Sequence, residues 1–306
     1  LDSGEIFKMI DAAGPNGVKA ISFTGGEPFL MLDDLCAYIN RAGNNKIPFI
    51  RTGTNGFFFT GSQKPGFTDK VEKTVEKLAQ TPVRNVWISI DSCDAALHES
   101  MRGFKGVFEG IKKALPIFES ANIYPSVNLG INRNLGGDMT RQLSRRDFAT
   151  DQAYEDQVYS TYCQAFSKFY ETVIDMGFTI ANACYPMSVD DSCTDLDPVY
   201  QASAVDHVIK FTPDEKHMIF KALRDTIPKY RGQIRIFSPQ TSLHALVKDL
   251  SRETPVSYPC QGGINYFFVD AASGDTYPCG YRGQDNFGKF YQMNGTLPGT
   301  LDTDCR

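Results

Sequence analysis

The chain of 306 residues is 42% hydrophobic and 22% charged, long enough to bury one large core and a smaller appended unit, which excludes a disordered or fibrous protein. Its net charge of −5 comes from interspersed charges without clustered lysine and arginine, so nucleic acid is excluded as the main partner. No apolar run approaches the roughly 18 residues of a membrane span and no basic-then-apolar amino terminus marks a secretory signal, which predicts a soluble, cytoplasmic protein without a membrane partner.

In chain order, short β-type runs alternate with longer stretches whose apolar residues recur at helical spacing, the pattern of βα units and a parallel sheet. A helix over residues 4–13 comes first. Strands are predicted at 18–24, 47–52, 86–91, 123–130 and 178–183, and helices at 32–41, 69–80, 107–121 and 154–176. In the last helix Val158, Tyr162, Ala165, Phe166, Phe169 and Val173 form one stripe, read as core. Residues 132–148 are polar, contain glycine and read as a loop. Beyond Thr212 a helix (213–224), a short strand (233–237) and a helix (240–250) lead out of the alternating region. After Pro255 the chain turns to strand and turn: runs at 266–270 and 275–277 flank Ala271-Ala272-Ser273-Gly274, where glycine supplies the positive φ of a tight hairpin. The chain opens on Leu1 and stops at Thr303-Asp304-Cys305-Arg306, which reads as a fragment cut at both ends.

The sharpest motif is Ile21-Ser22-Phe23-Thr24-Gly25-Gly26-Glu27-Pro28, a strand running into paired glycines, an acid and a proline. Glycines at a strand's carboxyl end let a ligand approach the backbone, and Glu27 offers an anion to an ammonium group. A plain strand-to-helix turn with Pro28 opening the helix fits the same tetrapeptide. Thr54-Asn55-Gly56 follows the next strand and, alone, is a turn. The strand Val86-Trp87-Ile88-Ser89-Ile90-Asp91-Ser92 is followed by His98 and by Met101-Arg102-Gly103. Arg102 suits a bidentate grip on a carboxylate, or is a surface arginine on a loop before a helix. Asp91 can bond a ribose or cap the following turn. His98 reads as a hydrogen-bonded packing residue of the loop. Asn128, between Val127 and Leu129, either reaches a ligand or is an outward polar position on a strand. Tyr185-Pro186-Met187 follows the next strand as a turn or an apolar border to a base.

Eight cysteines in a chain without export signals favour metal or redox use over disulfides. Cys36, Cys93, Cys163, Cys184 and Cys193 are scattered and read as small buried hydrophobes, although Cys184 and Cys193 can meet across a loop. Cys260-Gln261-Gly262-Gly263, then Gly274-Asp275-Thr276-Tyr277-Pro278-Cys279, then Cys305 place thiols at a hairpin base, where either iron–sulfur or zinc chemistry fits.

Taken together these motifs resemble the radical S-adenosylmethionine (SAM) superfamily. The resemblance implies an α/β fold: a partial (β/α)6 TIM-like barrel missing its first strand over residues 1–211, a helix and strand connector over 212–254, and the start of a small β-hairpin cysteine-rich module over 255–306. It implies that Gly25, Gly26 and Glu27 hold the methionine amino group, and that Ser89, Asp91, Arg102 and Asn128 complete the cofactor site. It also implies that Cys260, Cys279 and Cys305 bind an auxiliary iron–sulfur cluster of the SPASM or twitch type. The implied activity is that of an oxidoreductase or maturase: a 4Fe-4S cluster cleaves SAM to a 5′-deoxyadenosyl radical, which modifies a substrate, expected to be a peptide or protein, with flavodoxin or ferredoxin as electron donor. The family's Cys-x3-Cys-x2-Cys ligands occur nowhere in the 306 residues, so the chain as given is expected to be inactive. Two other readings stand beside this one: a degenerate barrel that only binds, and an ordinary barrel lyase or hydrolase with a structural zinc.

Overall fold

A computed structural model describes residues 1–184, 199, 207–251 and 261–293. Strands β1 (Ala20–Phe23), β2 (Phe49–Thr54), β3 (Asn85–Ser89), β4 (Ser126–Gly130), β5 (Ile180–Cys184) and β6 (Arg235–Ile236) lie side by side in sequence order, every neighbouring pair parallel. Parallel neighbours require crossover connections, and right-handed crossovers between strands whose order never reverses all fall on one face of the sheet. The connecting helices are α2 (Leu32–Asn44), α3 (Phe67–Ala79), α4 (Ala95–Arg102), α5 (Val107–Ser120), α6 (Asp138–Arg141), α7 (Asp151–Met176) and α8 (Pro213–Thr226), with α1 (Ser3–Ala13) before the sheet and α9 (Gln240–Leu250) after it. This is the predicted α/β sheet of a partial barrel.

The one-sided arrangement divides each strand. In β3, Val86 and Ile88 are wholly buried, whereas Asn85, Trp87 and Ser89 on the other face keep partial exposure. Ile50, Val127, Leu129 and Ala181 join Val86 and Ile88 against Ile39, Leu78, Phe118 and Phe169 of the helices in one apolar core. Fully burying each such side chain stabilises the fold by about 1.5–3 kcal/mol. All six residues of the predicted stripe on α7 are buried.

One ion pair ties α7 and α8 to the segment after β4. Glu215 completes a capping box with Thr212 at the start of α8 and accepts from Arg133 (2.8 Å) and the Tyr154 hydroxyl (2.5 Å). Burial pushes the Glu215 carboxyl up, but the bonds from Arg133, Tyr154 and the Thr212 backbone outweigh it and hold the group below the usual range.

Two local expectations are corrected. Residues 132–148, read as a loop, contain α6 and a helical turn at Arg145–Asp147. Helix α4 was not predicted; with His98 as its buried residue, it has no apolar stripe to announce it. Its ends are nevertheless well capped, by Asp94 accepting from the Leu97 amide and by Gly103 at φ +72°. Arg102 therefore stands in the last turn of a helix rather than on a loop before one, and His98 packs from that helix rather than from a loop.

Further along, β7 (Phe268–Val269) and β8 (Thr276–Tyr277) form an antiparallel hairpin, and its Gly274 has the expected positive φ of 77°. The hairpin rests on the beginning of the chain. The Leu1 amino group donates to the Ala271 carbonyl (3.4 Å), and Tyr291 donates to Glu5 (2.8 Å). Among the described residues no helix is long and apolar enough to cross a membrane.

Replacing a helical glycine by alanine ordinarily favours a helix by up to about 1 kcal/mol. At Gly110 in α5 a Cβ would lie 1.8 Å from the Phe59 carbonyl oxygen, so the helix approaches the turn after β2 at backbone distance. Gly110→Ala is expected to destabilise the protein by about 1–3 kcal/mol. Chemical denaturation checks this, and a variant as stable as the parent contradicts the packing.

Candidate functional site

The face of the sheet away from the helices carries Ser22, Arg51, Gly53, Trp87, Ser89, Asn128, Asn182 and Cys184, every second residue of its strands. In parallel α/β folds ligands collect at the strands' carboxyl ends, and here that rim is built from three polar arrangements.

The first joins the ends of β1 and β2. Gly25 and Gly26 have φ of +92° and +56°, a region that side chains make costly, and a Cβ on Gly26 would meet nothing within 4 Å. The backbone is thus bare on an open side. Glu27 caps the helical turn Pro28–Met31 by accepting from the Phe29 amide (3.1 Å), and its other oxygen accepts from the Asn55 amide (2.7 Å). One carboxylate fixes both turns, so the glycine motif and Thr54-Asn55-Gly56 form a single structure. Each oxygen keeps a further lone pair for a ligand. Gly25 lies under the hairpin tip, since a Cβ there would be 3.2 Å from the Ala271 Cβ.

The second arrangement follows β3. Arg102 grips the Asp91 carboxylate with two parallel bonds, Nε to Oδ2 at 2.5 Å and Nη2 to Oδ1 at 2.8 Å. The predicted carboxylate-gripping arginine thus holds a carboxylate of its own chain. Asp91 takes that pair as its partner rather than capping the next turn; the turn is capped by Asp94. Behind the pair, His98 is fully buried and its Nδ1 accepts from the Asp91 amide (3.2 Å). That bond requires the neutral ring with its proton on Nε2, which has no partner among the described residues. Burial, more than the neighbouring charges, pushes His98 down to about 4.

The third lies across β3, β4 and β5. Ser89 is in register with Asn128 and Asn128 with Asn182. The Asn128 Oδ1 accepts from Asn182 Nδ2 (3.0 Å) and from the Cys184 thiol (3.1 Å). Asn128 therefore sits on the face of the sheet away from the helices. Burial raises the Cys184 thiol, partly offset by the bond to Asn128 and by the Arg51 charge. Asn182 and Cys184 were not singled out from the sequence as partners of Asn128, yet the alternation Asn182-Ala183-Cys184 along one strand places both on its face. Tyr185, Pro186, Met187 and Cys193 lie outside the described residues, so the possible meeting of Cys184 with Cys193 does too.

Of the cysteines assigned to metal, Cys279 is half-buried after β8 and its sulfur accepts from the Tyr281 amide (3.4 Å). Cys260 and Cys305 lie outside the described residues. Among the described residues no three His, Cys, Asp or Glu side chains are grouped to hold a metal. The bare glycine turn and the polar rim fit a ligand with charged and hydrogen-bonding groups such as SAM. The described side chains do not make a cluster site.

A one-sided, six-stranded parallel sheet with a glycine turn and a polar rim at its strand ends defines an α/β protein of the partial-barrel kind. The sequence model described as the Radical SAM superfamily matches residues 1–132, somewhat under half of the chain. A GTP 3′,8-cyclase of Clostridium botulinum is 33% identical over 132 residues, covering 42% of this chain and 38% of the cyclase. An AdoMet-dependent heme synthase of Methanosarcina barkeri is 22% identical over 286 residues, covering 92% of this chain and 68% of the synthase. In fold, the chain resembles Streptococcus suis SuiB, with a TM-score of 0.55 at 15% identity over 91% of this chain and 54% of SuiB. SuiB has also been solved bound to S-adenosylmethionine and to the precursor peptide SuiA. The chain thus spans well under half of the cyclase and about half of SuiB.

The neutral burial of His98 makes stability pH-dependent. The unfolded histidine takes up a proton below its ordinary value of 6.5 while the folded one resists until about 4, so this contribution is complete above pH 6.5 and is lost as pH falls towards 4. The full span is worth about 3 kcal/mol. His98→Gln is expected to flatten the difference in unfolding free energy between pH 7 and pH 4.5 relative to the parent. An identical pH dependence in both proteins contradicts a buried neutral His98.

Proposed function

We propose that this chain is the cofactor-binding part of a radical SAM oxidoreductase or maturase that modifies a peptide or protein. The observation that carries the reading is the single structure made by Gly25, Gly26, Glu27 and Asn55 at the rim of a polar sheet face, within the segment that matches the family. On this reading the Gly25-Gly26 backbone approaches the methionine end of SAM, and Glu27 offers a lone pair to its ammonium group. Arg102 keeps Nη1 for the methionine carboxylate while Asp91 holds its other edge in place. Ser89 and Asn128 face the nucleoside. In an intact protein that carried a 4Fe-4S cluster, SAM would supply radical chemistry, its one-electron reductive cleavage giving methionine and a 5′-deoxyadenosyl radical able to take a hydrogen atom from the substrate.

The protein's share of the work is to orient the cofactor and substrate and to keep water out, since positioning and cofactor chemistry carry such reactions. No Cys-x3-Cys-x2-Cys sequence is present to hold the radical cluster, so the 306-residue chain is expected to bind SAM weakly and not to cleave it. Residues 1–211 form the barrel part on this proposal, 212–254 the connector, and 255–306 an auxiliary module in which Cys279, with Cys260 and Cys305 outside the described residues, would ligate an iron–sulfur cluster. The electron donor is a flavodoxin or ferredoxin. The fold shared with SuiB, solved with a precursor peptide, supports a peptide substrate over a small molecule.

In the intact protein with its cluster reconstituted anaerobically, Gly26→Val places a β-branched residue at φ +56° on the bare side of the turn. It is expected to lower 5′-deoxyadenosine formation about tenfold or more, a loss of at least ~1.4 kcal/mol of binding. Its midpoint of thermal unfolding should move by only a few degrees. Chromatographic quantitation of 5′-deoxyadenosine checks this, and formation at the parent rate in the variant overturns the assignment of the turn.

A further inference from the structure

The six strands of the sheet contain two arginines and no aspartate, glutamate or lysine. Arg231 donates to backbone carbonyls and Arg235 lies over the Phe237 ring, while several other arginines of the molecule are spent on carboxylates: Arg41 on Asp11, Arg102 on Asp91, Arg133 on Glu215, Arg224 on Asp225 and Arg282 on Asp285. Arg51, in the middle of β2, is not. It stands exposed on the ligand-side face, in register with Ser22, while its neighbours Ile50 and Thr52 are buried on the other side. Its Nε donates to the Ser22 hydroxyl at 2.5 Å, and its guanidinium lies 5.3 Å from the Trp87 ring centroid. Trp87 has room to lie there because the facing residue is Gly53, where a Cβ would sit 2.1 Å from the indole. Two neighbours, Ser22 and Trp87, therefore fix the direction of the guanidinium. Its two terminal nitrogens have no partner among the described residues, and no described carboxylate is within ion-pair distance. Arg51 and Cys184 lie on the same face of the sheet, and the Arg51 charge lowers the Cys184 thiol slightly.

We propose that Arg51, oriented by Ser22 and Trp87, is an anion subsite that receives a carboxylate or phosphate group of the substrate. A planar guanidinium with two outward nitrogens matches either group through paired hydrogen bonds. A neutral substrate filling this face would strip water from a cation and return nothing, which is unfavourable. The subsite selects substrates with an acidic group placed a short reach below the cofactor rim. It rests on the reading of this face as the substrate side of the proposed enzyme.

Trp87 is the only tryptophan of the chain, so its emission reports on the guanidinium above it. The 306-residue chain is titrated with glutarate and, separately, with pyrophosphate, at ionic strength held constant with sodium chloride. A saturable change in Trp87 emission is expected with at least one of them, glutarate marking a carboxylate site and pyrophosphate a phosphate site. Arg51→Met should raise the apparent Kd about tenfold or more, and Arg51→Lys, which keeps the charge but not the fork, should raise it less. Circular dichroism establishes that each variant is folded; if Arg51→Met is not, the Arg51→Lys shift decides. No saturable response to either anion in the parent, or the parent's Kd in the folded variants, overturns the proposal. The measurement requires no SAM, so its outcome is independent of the 5′-deoxyadenosine assay.

Discussion

Six parallel strands laid down in sequence order force every crossover onto one side of the sheet, and the rest of the molecule follows from that constraint. The helix-covered face must be apolar, because buried backbone and side-chain polar groups without partners are costly. The other face is released from that demand. It can hold Ser22, Arg51, Ser89, Asn128 and Asn182 in the interior of strands that would otherwise read as uniformly aliphatic. Stability and chemistry are thus separated by the two-residue period of a strand.

The rim of the polar face is held by ionic groups acting on backbone. Glu27 joins the exits of β1 and β2 by accepting hydrogen bonds from two backbone amides rather than from another side chain. Asp91 engages a guanidinium with its carboxylate while His98 takes its amide, so the exit of β3 is fixed from both sides. Glu215 does the same work further round, gathering Arg133, Tyr154 and the start of α8. These groups are partly or wholly buried, where charge-assisted bonds are stronger than at the surface and the loss of one partner is costly. The exits of β1, β2 and β3 are thus each tied by hydrogen bonds from the chain's own residues. The hairpin tip at Ala271 adds a contact from outside the sheet, close against Gly25.

The strands and long helices were legible in the sequence because their signals are local and periodic. The stripe on α7 and the alternation in Val86-Trp87-Ile88-Ser89 each predict the face that is buried. Helix α4 was not legible, since eight residues with only His98 buried give no period to read. The glycine turn and Thr54-Asn55-Gly56 were each visible, but the Glu27 bond that unites them spans 28 residues and emerges only from the fold. Arg51 was passed over because an isolated arginine in a strand has no motif. Its meaning comes from Ser22, Gly53 and Trp87 on three strands. Arg102 was read as bidentate, which it is, but towards Asp91.

The central claim is that the polar sheet face, and not the helix-covered side, is where SAM binds. An alternative location is visible: an open cleft of about 680 Å³ on the helical side, lined by Asp94, Gly137, Cys163, Lys168 and Glu171. The most direct measurement is a crystal structure of the intact, cluster-loaded protein with SAM. The account predicts the methionine end against Gly25 and Gly26 and the nucleoside beside Ser89 and Asn128. SAM in the helical cleft, or away from the glycine turn, would contradict it.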